Sequence, residues 1–343
     1  GAARNVTGSR HLVSDGKTNL LVDCGLFQER EYQDRNWSAF PVPPKEIGGV
    51  VLTHSHLDHC GLLPRLVHGG FKGLISCTPT SSEIAPIVME DAAHLMLEDL
   101  KHKAKRHRKE GRERKFPMEP LYTSEDVEAT RQLLRPVQYG KAFSAAAGIT
   151  GCFSDAGHIP GSSSVLLTLS DGKRLLFSGD IGRRDRPILN DPAPPPAADY
   201  VMVESTYGDR VHDDRVDTAS QLADIVNDAL RRGGNIIIPS FAVERAQELL
   251  YHLNNLRNAK RIPQMLVFLD SPMAIKVIEV MRRHPEDCDD DYRRLLREGK
   301  SPFSFSGLKL TSSTEESKAL NNMRGGAIII AGSGMCTGGR IKH

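Results

Sequence analysis

Residues 54–59 read His54-Ser55-His56-Leu57-Asp58-His59, directly behind the apolar run Gly49–Thr53. Neutral imidazole and carboxylate are ligands that suit zinc and similar divalent ions. H-x-H-x-D-H arises by chance in about one chain in a thousand of this length, so a fortuitous polar turn is a poor explanation. Strand alternation aims His54 and His56 to one side, and a turn lets Asp58 and His59 reach a neighbouring point. One short segment can therefore offer ligands to two adjacent ions.

Four ligands in one turn do not close two sites. The further candidates are His158 in "SDAGHIPGSSS" and Asp180 in "LLFSGDIG". Both are expected at loops beside strands, next to a glycine that lets backbone approach an ion. An isolated histidine is usually an ordinary polar residue, and an aspartate after an apolar strand also caps turns. A carboxylate there without a partner is costly, however. Asp23 in "LLVDCG" has the same strand-end setting. We expect it to orient a ligand histidine by hydrogen bond rather than to coordinate directly.

The elements that must carry these residues are short β-rich runs at 19–24, 49–54, 74–77, 148–153, 163–169 and 174–180. The run 49–54 delivers the histidine motif at its carboxyl end, and a helix is expected just after it, from Cys60. A long helix is expected from Pro79 and Thr80 to a stop at Gly111. From about residue 199 the pattern becomes regular β/α alternation: strand "YVMVES", helix 217–232, strand "NIIIPS", helix 243–257, strand "MLVFLD", helix 272–283 and strand "GAIIIAGS". That rhythm predicts a second unit with a parallel sheet. "DPAPPPAAD" (191–199) is the expected joint, giving domains 1–200 and 201–343.

With 343 residues, 39% of them hydrophobic, the chain can bury one large or two medium cores. Its net charge of +2 singles out no polyanion, so a nucleic acid would have to be met by local clusters. "KHKAKRHRKEGRERK" (101–115), with nine Lys/Arg against two Glu, is one such cluster; a solvated helix end is the alternative. Six cysteines without a C-x-x-C pair predict reduced thiols and no cysteine-bound zinc. No signal peptide is visible and no apolar run approaches the roughly 18–20 residues that span a bilayer, so we expect a cytoplasmic protein with no membrane partner. Both ends look cut from a longer chain.

Asp23, the His54–His59 motif, His158 and Asp180, in that order, resemble the dinuclear zinc site of the metallo-β-lactamase fold, and the resemblance covers residues 1–200. It implies an α/β architecture, an αββα sandwich with two Zn2+ at one edge. His54, His56 and His158 would hold one zinc and Asp58 and His59 the other, with Asp180 bridging and a metal-activated hydroxide as nucleophile. The later blocks "VMVESTYGDR" (201–210), "IPSFAVERAQELLYHL" (238–253), "DSPMA" (270–274) and "AGSGMCTGGR" (331–340) resemble the β-CASP group, a nucleic-acid-processing branch with RNA 3′-end cleavage enzymes. In that group the second domain is inserted into the metal-binding one, so the segment 201–343 would also begin the return to it. Glu204 occupies the acidic position of the group's first extra motif. The group normally carries two further histidine motifs beyond "GSGMCTGGR", which this chain does not reach. Glu244 stands where glycine is common.

The resemblance implies a zinc-dependent endoribonuclease acting on single-stranded RNA, with 5′-exonuclease action as an option and homodimerisation left open. Asp58, Glu204 and Asp23 are the candidate catalytic residues beside the metals. Thr7 in "NVTGS", Ser162 in "GHIPGSSS" and Ser333 and Gly334 in "GSGM" are candidate phosphate contacts, as glycine-rich turns offer N–H groups and hydroxyls. Two alternatives are a small-molecule metallohydrolase for thioesters or lactams, and a non-catalytic RNA-binding paralogue. The inserted domain argues against the first and the full ligand set against the second.

Overall fold

The computed structural model describes residues 2–110, 117–211, 217–336 and 338–342, with the side chains of 102–110 left undescribed. The side chains of the basic cluster at 101–115, Lys101 apart, therefore lie outside the described residues. The chain divides into two compact units: Gly1–Arg184 with Asp191–Thr206, and Asp185–Asn190 with Tyr207–His343.

The first unit holds two five-stranded sheets. β1 (His11–Ser14) and β2 (Asn19–Val22) form an antiparallel hairpin, followed by β3 (Ile47–Val51), β4 (Leu74–Cys77) and β5 (Leu134–Pro136) in parallel, in the order β1-β2-β3-β4-β5. Asp15 makes the hairpin turn: its Oδ1 accepts the N–H groups of Lys17 (2.9 Å) and Thr18 (2.8 Å), an Asx turn. The second sheet is an antiparallel meander of β6 (Ala142–Ala146), β7 (Ile149–Asp155), β8 (Ser163–Thr168) and β9 (Arg174–Phe177). β10 (Tyr200–Met202) then joins β9 in parallel.

Between the sheets lies one apolar layer. Val13, Leu20, Val22 and Val51 from the first sheet meet Phe143, Phe153, Val165, Leu167 and Phe177 from the second. Residues two apart share a face of a strand, which is why Leu20 and Val22, or Val165 and Leu167, enter the same core. Helices α1 (Leu57–Cys60), α2 (Leu63–His68), α3 (Pro79–Glu110) and α4 (Ser124–Arg131) pack on one another and, through α3, against β5. α4 opens with a reciprocal cap between Thr123 and Asp126.

The second unit carries a four-stranded, wholly parallel sheet in the order β11-β14-β12-β13. Its strands are β11 (Ile236–Pro239), β12 (Leu266–Asp270), β13 (Leu308–Leu310) and β14 (Ala327–Ala331), and its helices α5 (Thr218–Arg231), α6 (Arg245–Asn258), α7 (Pro272–Arg283), α8 (Asp290–Arg297) and α9 (Thr314–Ala319). α7 starts with Pro272 behind Ser271, whose hydroxyl accepts the Ala274 N–H at 3.2 Å.

The expected β/α alternation after residue 217 and the long helix from Pro79 match these elements closely. "YVMVES" differs: its strand is shorter and pairs with β9 of the first unit. The pairing is fixed by partners distant in sequence, including Ser178 N–H on Met202 O (2.9 Å) and Asp199 N–H on Arg174 O (2.9 Å). All six cysteines are free thiols. Among the described residues no helix is long and apolar enough to cross a membrane.

Phe153 is fully buried and its ring stacks on Phe143 with centroids 4.8 Å apart. Phe153→Ala should lower stability by about 3–5 kcal/mol in urea unfolding; a loss below about 1 kcal/mol would contradict a single tightly packed layer between the two sheets.

Candidate metal centre

The histidine motif starts where β3 ends. His54 is fully buried behind Leu52, whose N–H donates to Ser76 O at 2.9 Å. The helix that follows opens earlier than the sequence suggests. His56 is extended (φ −65°, ψ 148°), and its carbonyl accepts the N–H groups of both His59 and Cys60 at 2.9 Å. Asp58 and His59 thus sit on α1 rather than in a loop. The chain leaving β2 is laced to this turn by Cys24 N–H on His59 O (2.7 Å) and Leu26 N–H on Leu57 O (3.1 Å). Gly25 permits the approach, since a Cβ there would stand 1.5 Å from Asp58 O.

Four donor atoms converge. His54 Nε2 is 3.1 Å and His158 Nε2 3.2 Å from His56 Nδ1, while Asp180 Oδ2 is 3.7 Å from His54 Nε2 and 3.5 Å from His158 Nε2. All four lie within 4.8 Å of one another. Ligands about 2.0–2.1 Å from a tetrahedral ion stand about 3.3 Å apart, so these separations fit one divalent ion at their centre. A second convergence adjoins it: His59 Nε2 lies 3.2 Å from Asp180 Oδ1 and 3.7 Å from Asp58 Oδ2. The two oxygens of Asp180 therefore face different donor sets.

Asp23 decides which way the imidazoles present their protons. It is buried, at φ +58°, and accepts Thr53 N–H (2.7 Å) and Thr53 Oγ1–H (2.8 Å), while His59 Nδ1 lies 2.8 Å from its Oδ2. A carboxylate only accepts, so His59 Nδ1 carries a hydrogen, and Nε2 is the nitrogen that faces Asp180 and Asp58, where it can offer a lone pair to an ion once its own hydrogen is displaced. The single hydroxyl proton of Thr53 is given to Asp23. Thr53 Oγ1 must then accept from His54 Nδ1, 3.1 Å away, which leaves the His54 Nε2 lone pair for the converging set. Thr53 escapes sequence inspection because a threonine in an apolar strand is ordinary; its place just before His54, level with the end of the Asp23 strand, is the usable signal.

His158 is held by its own loop. Ser162 Oγ accepts the N–H groups of His158 (2.9 Å) and Ile159 (3.2 Å), and Ser162 O accepts Tyr139 Oη–H at 2.8 Å. Ser162, expected at a phosphate, is fully buried and spends its hydroxyl on this loop. The loop meets the Asp180 segment through Gly182, where a Cβ would lie 1.7 Å from Gly157 O. Glu204 also serves that segment: Oε1 accepts Ile181 N–H (3.3 Å), Oε2 accepts Thr206 N–H (3.1 Å), and its own N–H donates to Ser178 Oγ (3.0 Å).

The N–H and hydroxyl of Thr7 are both taken by the Glu29 carboxylate, which also accepts Val6 N–H at 3.1 Å. Ser333 and Gly334 belong to the second unit, where Gly334 lies against Phe241. Glu244 has φ +72°, a backbone region that favours glycine, and its carboxylate lies 3.4 Å from Arg186 Nη2.

Burial, aided by neighbouring His59, pushes the His54 pKa well below its ordinary value, and burial with His158 lowers that of His56 to about 3. Both are neutral imidazoles near pH 7, the form that donates a lone pair to a metal. Burial raises Asp58 to about 6 against the pull of His59. Burial also opposes charge on His59 and Asp180. Asp23 and Asp180 nevertheless hold the His59 pKa up, and His54, His59 and His158 hold that of Asp180 well down.

Thr53→Val should break the chain from Asp23 to His54, and Asp23→Asn should remove the charge that orders both histidines. Each is expected to weaken metal binding by about 10–100-fold in competition with a chromophoric chelator. The exposed pair His68–Asp126 supplies the control, His68→Ala, which should bind as the parent does. Parent-like affinity in Thr53→Val would refute the tautomer assignment.

Comparison with known proteins agrees with this geometry. The metallo-beta-lactamase superfamily model matches residues 8–239, and the Beta-Casp domain model matches residues 246–343. Ribonuclease TTHA0252 of Thermus thermophilus is 40% identical over 343 residues, covering 100% of this chain and 74% of that protein. Probable RNase MJ4 of Methanocaldococcus jannaschii is 30% identical, covering 100% of this chain and 73% of that protein. Transcription termination factor FttA of the same organism is 31% identical over all of this chain, which spans only 53% of that longer protein. The donor-lined sandwich, the parallel-sheet unit that follows it and these full-chain similarities place the chain in the metallo-β-lactamase/β-CASP ribonuclease family.

Proposed function

We propose that the protein is a zinc-dependent endoribonuclease that hydrolyses phosphodiester bonds of single-stranded RNA, with 5′-exonuclease action as a secondary mode. The observation that carries the reading is Asp180, whose two oxygens face two adjacent donor sets in a chain that also has a β-CASP domain. His54, His56 and His158 would hold one zinc ion and Asp58 with His59 the second, Asp180 belonging to both. When bound, such a pair acidifies water near neutral pH and neutralises the charge that grows on phosphoryl oxygens during in-line displacement.

The chain's own residues prepare that centre. Asp23 and Thr53 keep two histidine lone pairs aimed inward, Ser162 fixes the backbone that carries His158, and Glu204 fixes the backbone that follows Asp180. These supports, all but Glu204 buried, make the donor set rigid before substrate arrives, which is where pre-organisation lowers a barrier. Glu204 is assigned a positioning role. A thioester or lactam hydrolase would have no use for the second unit, and a decayed paralogue would not retain all of His54, His56, Asp58, His59, His158 and Asp180.

The test uses the full-length protein and its His56→Ala variant with 5′-labelled single-stranded RNA and, in parallel, a thioester. The intact protein should release internal RNA fragments in a zinc-dependent manner, and His56→Ala should lose at least 100-fold in rate, about 2.7 kcal/mol of transition-state stabilisation. A parent that takes up zinc and turns over the thioester while leaving RNA uncut would overturn the reading.

A further inference from the structure

The second unit carries an open cleft of about 580 Å³ lined by Asn227, Arg257, Asn258, Lys260, Arg261 and Gln264 together with the buried Ile262 and the exposed Pro263. That volume lies within the range of about 300–1,000 Å³ in which small ligands are held. Among the described residues three cations and three carboxamides line it, and no carboxylate does. The cations gather where α6 ends, at a turn that Lys260 makes with φ +55°.

One or two positive charges at a helix C-terminus are explained by the helix dipole. Three, around a cleft with amides, exceed that need. Arg257 and Arg261 are pre-positioned by neutral partners: Arg257 Nη1 donates to Ser306 O at 2.5 Å and Arg261 Nη2 to Ser220 Oγ at 2.7 Å. The carbonyl leaves the charge of Arg257 uncompensated, whereas Ser220 Oγ passes its own hydrogen to the Asp217 carboxylate, whose field reaches Arg261. Arg257 also stands 5.2 Å from the centroid of the half-buried Phe305 ring. Asn227, which also lines the cleft, is fixed by donating to Arg261 O at 2.9 Å. Cations for phosphates, amides for base edges and an arginine on an aromatic ring are the parts from which proteins build sites for unpaired nucleotides.

We propose that this cleft is a secondary binding site for single-stranded RNA. It takes a backbone phosphate on Lys260 and Arg261 and the adjacent base against Arg257 and the carboxamides. The inference rests on the RNA reading of the preceding subsection and adds a subsite that the metal centre does not supply.

The test measures binding of a fluorescent single-stranded RNA to full-length protein in the non-cleaving His56→Ala background, across a range of salt. Adding K260Q and R261Q together should raise Kd about tenfold and flatten the plot of log affinity against log salt by about 1.4, the slope of two lost phosphate contacts on a single strand. K260Q alone changes only an exposed turn and should flatten it by about 0.7. Crosslinks from 4-thiouridine RNA should map to residues 257–264. Unchanged affinity and slope in the double variant, while the His56→Ala parent still binds RNA, would overturn the subsite and leave the proposed function standing. Loss of all RNA binding by the parent itself would overturn both. Saturable binding of 5′-AMP at these residues with RNA binding unaffected would also overturn it, by assigning the cleft to a free nucleotide.

Discussion

The site depends on one buried carboxylate. Asp23 accepts hydrogen bonds from the Thr53 backbone and hydroxyl and lies 2.8 Å from His59 Nδ1. A buried acceptor without these donors would be costly, so strand β2, the end of β3 and the first turn of α1 are locked to one another. The same bonds leave the Nε2 atoms of His54 and His59 facing the two oxygens of Asp180. Fold stability and donor alignment are therefore a single constraint: the segment cannot relax one without the other.

That constraint also explains the close backbone crossings. Gly25 passes over the carbonyl of Asp58 and Gly182 over that of Gly157, each at a distance no side chain allows. The motif turn is thereby clamped from the β2 side, and the His158 loop from the Asp180 side. Four donors from three distant stretches of sequence then meet without a flexible arm among them. Rigid supports of this kind hold an ion's ligands in place before the ion arrives.

Much of this was legible in the sequence because it is local. A dense H-x-H-x-D-H segment behind a strand identifies itself, and so does the β/α rhythm of the second unit. What was not legible is non-local or directional. Thr53 is ordinary until Asp23 and His54 are seen on either side of its hydroxyl. Ser162 reads as part of a phosphate cradle because the loop is rich in glycine and serine, yet its hydroxyl is consumed by the loop's own N–H groups. The strand at Tyr200–Met202 follows a proline-rich joint and looks like the start of a new unit, but its hydrogen-bond partners lie in β9. Glu244 marks a position that demands positive φ, and Arg186 beside its carboxylate accompanies the unusual residue there.

Asp180 is proposed to stand between two metal positions. Crystals of the full-length protein grown with zinc, measured above and below the zinc absorption edge, test it directly. Two anomalous peaks are expected, one within about 2.0–2.2 Å of His54 Nε2, His56 Nδ1, His158 Nε2 and Asp180 Oδ2, the other at the same range from His59 Nε2, Asp58 and Asp180 Oδ1. A single peak that leaves one oxygen of Asp180 without an ion, or peaks bound elsewhere, would contradict it.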